Sequence, residues 1–437
     1  MSAPLRLGVL PRDLDGLFLP EGGGFEVVYL VLGGSAEESW ARAVAPPHRV
    51  STYDLLAGDL GPYPATSALL RGSTIHEAVR RDQLGALLLS ASTTRPTHAW
   101  ARRHGVRLLA TDYLAQRRLE DKIAFHALCT RLRLPKPRGA ALTLRPGLRM
   151  PAPAALVIQD PRSMGGEGTH FARDREEALA LLDRGVLHAG RRYLVRERID
   201  GRPFGASIVV APGRVALSAV RLQAYYPGDA NQPAAFAGVQ WIPTKDLGPV
   251  LCARLDDALL RLGDHLHARG FRGVANVDFM VDARDRPFLI ECNPRLSAAT
   301  PQLLRFPELL GEPAGPLLLE ALASHHRSPR AVRRSGLPDS AYEGATLDLV
   351  QTSGPVARAL ATGRYSFPRE GDPAFLGPDV ASFSQPDEIA LVSFAREGQT
   401  ATADSPLGSL LSNRPLHDSS GAPLPEALRL VRCFAGP

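Results

Sequence analysis

Four cysteines, Cys129, Cys252, Cys292 and Cys433, are spread along 437 residues, and no two stand at metal-ligand or C-x-x-C spacing. That spacing suggests neither a cysteine zinc site nor a disulfide framework. No apolar run in the chain reaches the roughly 18 residues that a membrane helix needs. The first residues, MSAPLRLGVLPRDLDG, lack the apolar core of a signal peptide. The expected location is therefore the cytoplasm, with no membrane partner. Lysine is almost absent: Lys122, Lys136 and Lys245 stand against 48 arginines. The formal charge is +6, yet the basic residues are scattered and form no stripe, which argues against a nucleic-acid partner. So strong a preference for Arg, with abundant Ala, Gly and Pro, reads as coding bias. A lysine that survives such a bias carries more meaning. There is no internal repeat.

What is present is 44% hydrophobic residues, enough apolar material for two to four structural units in a chain of this length. Over residues 1–118, the strand candidates 24–32, 85–92 and 106–111 alternate with helical stretches. That alternation predicts a parallel sheet with crossover helices. A helix is expected over 117–134, with Leu119, Ile123, Leu128 and Leu132 on one face and Pro135 ending it. Strands are expected at 154–160 and 214–227, two strands with a short connection across 192–211, a polar loop at 228–243, and an amphipathic helix at 251–271. Beyond Arg327 the composition turns to Pro, Gly, Ser and Arg, with short strands or helices at 342–351, 387–397 and 422–435.

The most informative stretch is Asn276 to Arg295, NVDFMVDARDRPFLIECNPR. It reads as two strands around the polar turn DARDR. Side chains two apart on a strand share a face, so Glu291 and Asn293 point together, and the hairpin brings Asp278 near them. Three hard oxygen donors then converge, a set that suits Mg²⁺.

An Asp on one strand followed by E-x-N-P-R on the next resembles the ATP-grasp superfamily of carboxylate ligases, over roughly residues 119–322. The resemblance implies a mixed fold, α/β and α+β. An N-terminal parallel α/β (pre-ATP-grasp) domain would cover 1–118. The ATP-grasp small lobe with its glycine-rich loop would cover 119–195, and the large lobe with the metal site 196–326. A C-terminal extension or cap would follow at 327–437. It implies ATP and Mg²⁺ as cofactors, or Mn²⁺ in its place, with Asp278, Glu291 and Asn293 as metal ligands. Lys122 would reach the phosphates as a compact mobile cation. Ser163, Gly165, Gly166 and Gly168 would form the flap over them, because glycines let backbone N–H groups approach anionic oxygens. The hinge, Glu197, Arg198, Ile199 and Asp200, would hold adenine and ribose. Arg295 and Arg221 would orient the reacting carboxylate.

The chain departs from the family pattern at three places. Gln159 stands where a second lysine usually ends the strand before the flap. Phe204 replaces a further hinge glutamate, and Asn276 stands where some relatives have Arg two residues before the Asp. The resemblance implies an ADP-forming ligase that joins a carboxylate to an amine through an acyl phosphate. Its partners would be a small-molecule carboxylate and an amine or peptide, with a carrier protein or a second copy of the chain as further candidates. Length and the C-terminal part also resemble, loosely, peptide ligases of the pheganomycin type in secondary metabolism. Gln159 and Phe204 keep open an ATP-binding regulator with weak turnover. A ligase that loads an amino acid onto a carrier protein is the third reading.

Overall fold

The computed structural model describes residues 4–10, 17–18, 25–56, 66–89, 93–145, 155–163, 168–226, 236–323, 331–351, 354–355, 361–368, 371–393, 400–401 and 405–435. Its N-terminal part is a five-stranded sheet. In spatial order the strands are Val50–Tyr53, Phe25–Leu32, Leu5–Val9, Ala86–Leu88 and Arg107–Leu109. Every pairing in it is parallel, as the alternation of strand and helix predicts. Two of these strands, Leu5–Val9 and Val50–Tyr53, are absent from the sequence reading. Both are too short for a period-2 pattern to stand out. Leu5–Val9 is nonetheless central, and Leu7 and Val9 are fully buried.

The expected single helix over 117–134 is two helices, Tyr113–Glu120 and Lys122–Arg131. Asp121 causes the break. It sits in an extended conformation, and its carboxylate accepts from the backbone of Ile123 and Ala124, both at 3.1 Å. Such an N-cap starts a new helix rather than continuing the old one. Lys122 thereby becomes the first residue of a helix.

The small lobe is a four-stranded antiparallel sheet in the order Gly139–Thr143, Arg192–Glu197, Leu156–Gln159, Thr169–Ala172. Helix Arg175–Asp183 packs against it through Ala178. The chain then enters a twelve-stranded sheet. Its large-lobe half runs Pro287–Asn293, Gly273–Asp282, Gly201–Ala211, Arg221–Tyr225, Phe236–Trp241. The expected long strand 214–227 is split in two, Arg214–Leu217 and Arg221–Tyr225. The expected loop 228–243 contains the strand Phe236–Trp241, and its residues 228–235 lie outside the described residues. Helix Pro249–Ala268 covers this sheet with Leu255, Leu259, Leu262 and Leu266.

The C-terminal extension continues the same sheet. Ala345–Gln351 pairs with Phe236–Trp241, and Ser405–Ser412, Glu388–Val392, Gly363–Ser366 and Ala374–Gly377 follow in order. Among the described residues, no helix is long and apolar enough to cross a membrane.

Candidate active site

The acidic hairpin forms as its sequence predicts. Gly273–Asp282 and Pro287–Asn293 are antiparallel neighbours, with Asp278 opposite Glu291 and Asn276 opposite Asn293. One row crosses four strands in register: Arg221, Gly205, Asp278, Glu291. Gly205 matters because it has no side chain. A Cβ there would lie 3.1 Å from the Asp278 Oδ1 and 3.4 Å from the Arg221 guanidinium.

Asp278 and Glu291 are so close that one amide serves both. Asn293 Nδ2 donates to Asp278 Oδ2 at 3.1 Å and to Glu291 Oε1 at 3.1 Å. Burial and the neighbouring Glu291 charge push the Asp278 carboxyl well above its usual range, against the pull of Arg221. Burial also opposes ionisation of Glu291. There the Lys122 charge and the hydrogen bonds from Asn293 and Lys122 win, and its carboxyl is held below the usual value. Lys122 Nζ stands 3.2 Å from Glu291 Oε2 and donates to the Ser163 carbonyl at 2.7 Å. The surviving lysine therefore ties the helix start to both the acidic pair and the flap.

These residues fit a hard divalent cation. Burial and the neighbouring Glu291 charge oppose ionisation of Asp278, and a cation beside the pair would favour the ionised form. A half-turn of the Asn293 amide would present its oxygen. Among the described residues, no group of three or more His, Cys, Asp or Glu stands ready to hold a metal. Two carboxylates suit an ion that keeps part of its shell for water and phosphate oxygens.

The pair opens into a cleft of about 680 Å³ between the lobes. Lys122, Gln159 and Ser163 line it from the small-lobe side, and Glu197, Arg198, Ile199 and Asp200 from the hinge. Arg221, Asp278, Glu291, Asn293 and Arg295 line its floor. Gly168 closes the flap turn instead. It has a φ of 62°, and a Cβ there would meet the Asp160 Oδ2 at 2.6 Å. Gly165 and Gly166 lie outside the described residues.

Several predicted roles change in detail. Glu197 is already occupied: its carboxylate accepts from the Arg138 backbone at 2.8 Å and from Arg138 Nε at 2.9 Å. The hinge carboxylate thus pins two strands together. Arg198 is exposed and stacks over the Phe171 ring at 5.4 Å. Arg221 is buried, donating to Ser207 Oγ at 3.1 Å and Asn276 Oδ1 at 3.0 Å. It sits behind Asp278 rather than reaching forward to a substrate. Arg295 Nε is 3.3 Å from Glu120.

Arg196 escaped the sequence reading. It lines the cleft, is 3% exposed, and donates to the Ile290 carbonyl at 2.9 Å and to the Gln159 amide oxygen. Strand alternation could have found it, since Leu194 and Arg196 share a face.

Residues 120–299 match the family model of the ATP-grasp domain. The carbamoyl phosphate synthase large chain of Thermus thermophilus is 30% identical over 213 residues, which is 45% of this chain and 19% of that one. The chain thus spans about a fifth of the length of the curated relatives it matches. Among solved structures, the biotin carboxylase domain of the Hydrogenobacter thermophilus 2-oxoglutarate carboxylase, in complex with MgADP, ADP and bicarbonate, superposes with a TM-score of 0.62 at 12% identity. That match covers 95% of this chain and 87% of the other. Biotin carboxylase of Campylobacter jejuni, in a beta-gamma-ATP complex, gives 0.60 at 12% identity over 94% and 87%. Residues 120–299 are thus similar to an ATP-grasp domain, in a chain whose mixed α/β architecture is the ATP-grasp fold.

Proposed function

We propose that this protein is an ATP-dependent, ADP-forming ligase that joins a carboxylate to an amine. The observation that carries this reading is the meeting of Asp278, Glu291, Asn293 and Lys122 at one end of an interlobe cleft of about 680 Å³. A carboxylate does not react with an amine unaided, because oxide is a poor leaving group. Attack of a carboxylate oxygen on the γ-phosphorus of ATP releases ADP and forms an acyl phosphate. The amine nitrogen then attacks the carbonyl carbon, phosphate leaves, and the amine gives up a proton. Such phosphoryl transfer is mostly positioning and charge neutralisation. Bound Mg²⁺ supplies neutralising charge to the phosphates, and Asp278, Glu291 and Asn293 are the residues that would hold it. Lys122 brings a cation to the same point, and Arg221 keeps Asp278 in place from behind. Arg295 would orient the acid substrate and steady the anionic intermediate.

The finer reading is an amino-acid or peptide ligase of secondary metabolism. Its support is the C-terminal extension and the altered Gln159. The test is a screen of amino-acid and peptide pairs for ADP release and for a product of the summed mass less one water. No ADP from any pair, by protein that binds ATP, would point to the regulatory reading. Mass gain on a carrier protein would point to the loading reading.

A further inference from the structure

Gln159 leaves the end of its strand uncharged, yet a charge stands there. The Arg196 guanidinium reaches across from the neighbouring strand and donates to the Gln159 amide oxygen. The Gln159 amide nitrogen in turn donates to Thr169 Oγ1 at 3.2 Å. Its other anchor, the Ile290 carbonyl at 2.9 Å, belongs to the acidic hairpin of the opposite lobe. Both acceptors are neutral. Among the described residues, no carboxylate lies within 4 Å of Arg196, although it is 3% exposed. Burial lowers the guanidinium pKa to about 10, while the Glu291 charge, too distant for an ion pair, acts the other way, so the group stays charged. A buried cation held by neutral oxygens is costly. It is tolerated where an anion completes it, and Arg196 lines the cleft beside Lys122 and Glu291.

We propose that Arg196 is a polyphosphate-binding residue of this cleft and that Gln159 is its positioning partner, so the pair does the work of one strand lysine. This rests on the nucleotide reading above. Guanidinium suits the task because its fixed fork can keep both protein acceptors and still offer an N–H to phosphate. The amide of Gln159 suits it because a lysine there would repel Arg196.

The test is calorimetry of the full chain with Mg²⁺·ADP and with adenosine. Arg196→Gln should weaken ADP about tenfold or more and leave adenosine unchanged, while Arg196→Lys recovers part of the loss. Gln159→Lys alone should lower thermal stability by crowding two cations. Combined with Arg196→Gln, it should restore ADP affinity. Equal losses for ADP and adenosine, no loss for either, or no rescue in the double variant would overturn the inference while the nucleotide reading stands. Failure of the unaltered chain to bind either ligand would overturn both.

Discussion

Asp278 and Glu291 repel each other in the absence of a cation, and that repulsion is legible in their surroundings. Both are half-buried at the cleft, and one amide donates to each. Replacing one carboxylate should therefore cost little stability, because it removes a like-charge neighbour. Asp278→Asn is expected to melt at or above the temperature of the unaltered chain without divalent ions. It should also lose the thermal gain that Mg²⁺·ATP gives. Scanning fluorimetry with and without Mg²⁺·ATP reads both, and an undiminished gain would remove Asp278 from the cation site. Glu291→Gln keeps size and hydrogen bonding but loses the charge paired with Lys122. It should abolish ADP release while the far-UV circular dichroism stays unchanged. At this scale much of the site was visible in advance, because Glu291 and Asn293 obey a period of two and sit in one hairpin. Arg196 was not, because its role depends on Gln159 and Ile290, which lie 37 and 94 residues away along the chain.

Among the elements, the strand Gly201–Ala211 carries the centre of the site without contributing a ligand. Gly205 lies between Arg221 and Asp278 in the cross-strand row, and the missing Cβ is what lets those two charges face each other. Gly205→Ala should displace the Asp278 carboxylate, since 3.1 Å is too close for an ordinary contact. The expected cost is about 1–3 kcal/mol by denaturant titration, with a larger relative loss in Mg²⁺·ATP affinity than in adenosine affinity. The helix Lys122–Arg131 offers a second check. His126 lies on it, with Lys136 Nζ 2.9 Å from its Nε2. Burial, then the charges of Lys136 and Arg196, hold its pKa down to about 4, against the Gly139 carbonyl. Between about pH 4 and the ordinary histidine value of 6.5, the unfolded chain binds the proton and the folded chain does not. Stability should therefore fall as pH drops through that window and be fully present above it. His126→Gln should flatten that part of the melting-temperature profile relative to the unaltered chain. A parallel profile would show that His126 is not held neutral. The break between the two helices at Asp121 was written in the sequence as an Asp beside Lys122, but continuous apolar spacing masked it. An N-cap outranks periodicity because it satisfies backbone donors directly.

The whole molecule is joined where the sequence reading left a composition change. Nothing in the Pro- and Gly-rich stretch after Arg327 signals that its strands complete the sheet that carries Asp278. Strand pairing over a hundred residues leaves no local pattern, so the joint appears only in the structure. It is polar and buried. Gln302 is fully buried, accepts from Trp241 Nε1 at 2.8 Å, and places its Nε2 3.1 Å from the Ala345 and Ser412 carbonyls. Gly238 has a φ of 139°, and a Cβ there would meet the Thr346 carbonyl oxygen at 2.1 Å, so the two strands pack backbone to backbone. The Gln240 amide oxygen accepts from the Leu416 and His417 backbones. Removing residues 327–437 would strip Phe236–Trp241 of its outer partner and expose an apolar sheet edge two strands from the strand that carries Phe204 and Gly205. Such edges aggregate, so the truncated chain should be insoluble or unfolded rather than an active core lacking a cap. Gln302→Leu is the milder probe. It keeps the size but orphans the Trp241 N–H and two carbonyls, which costs about 3 kcal/mol. If the extension is part of one cooperative unit, calorimetry of that variant gives a single transition at lower temperature, with Mg²⁺·ATP affinity preserved below it. Two separated transitions, or a soluble truncated chain that still binds Mg²⁺·ATP, would mean that the C-terminal strands stand apart from the sheet that carries Asp278.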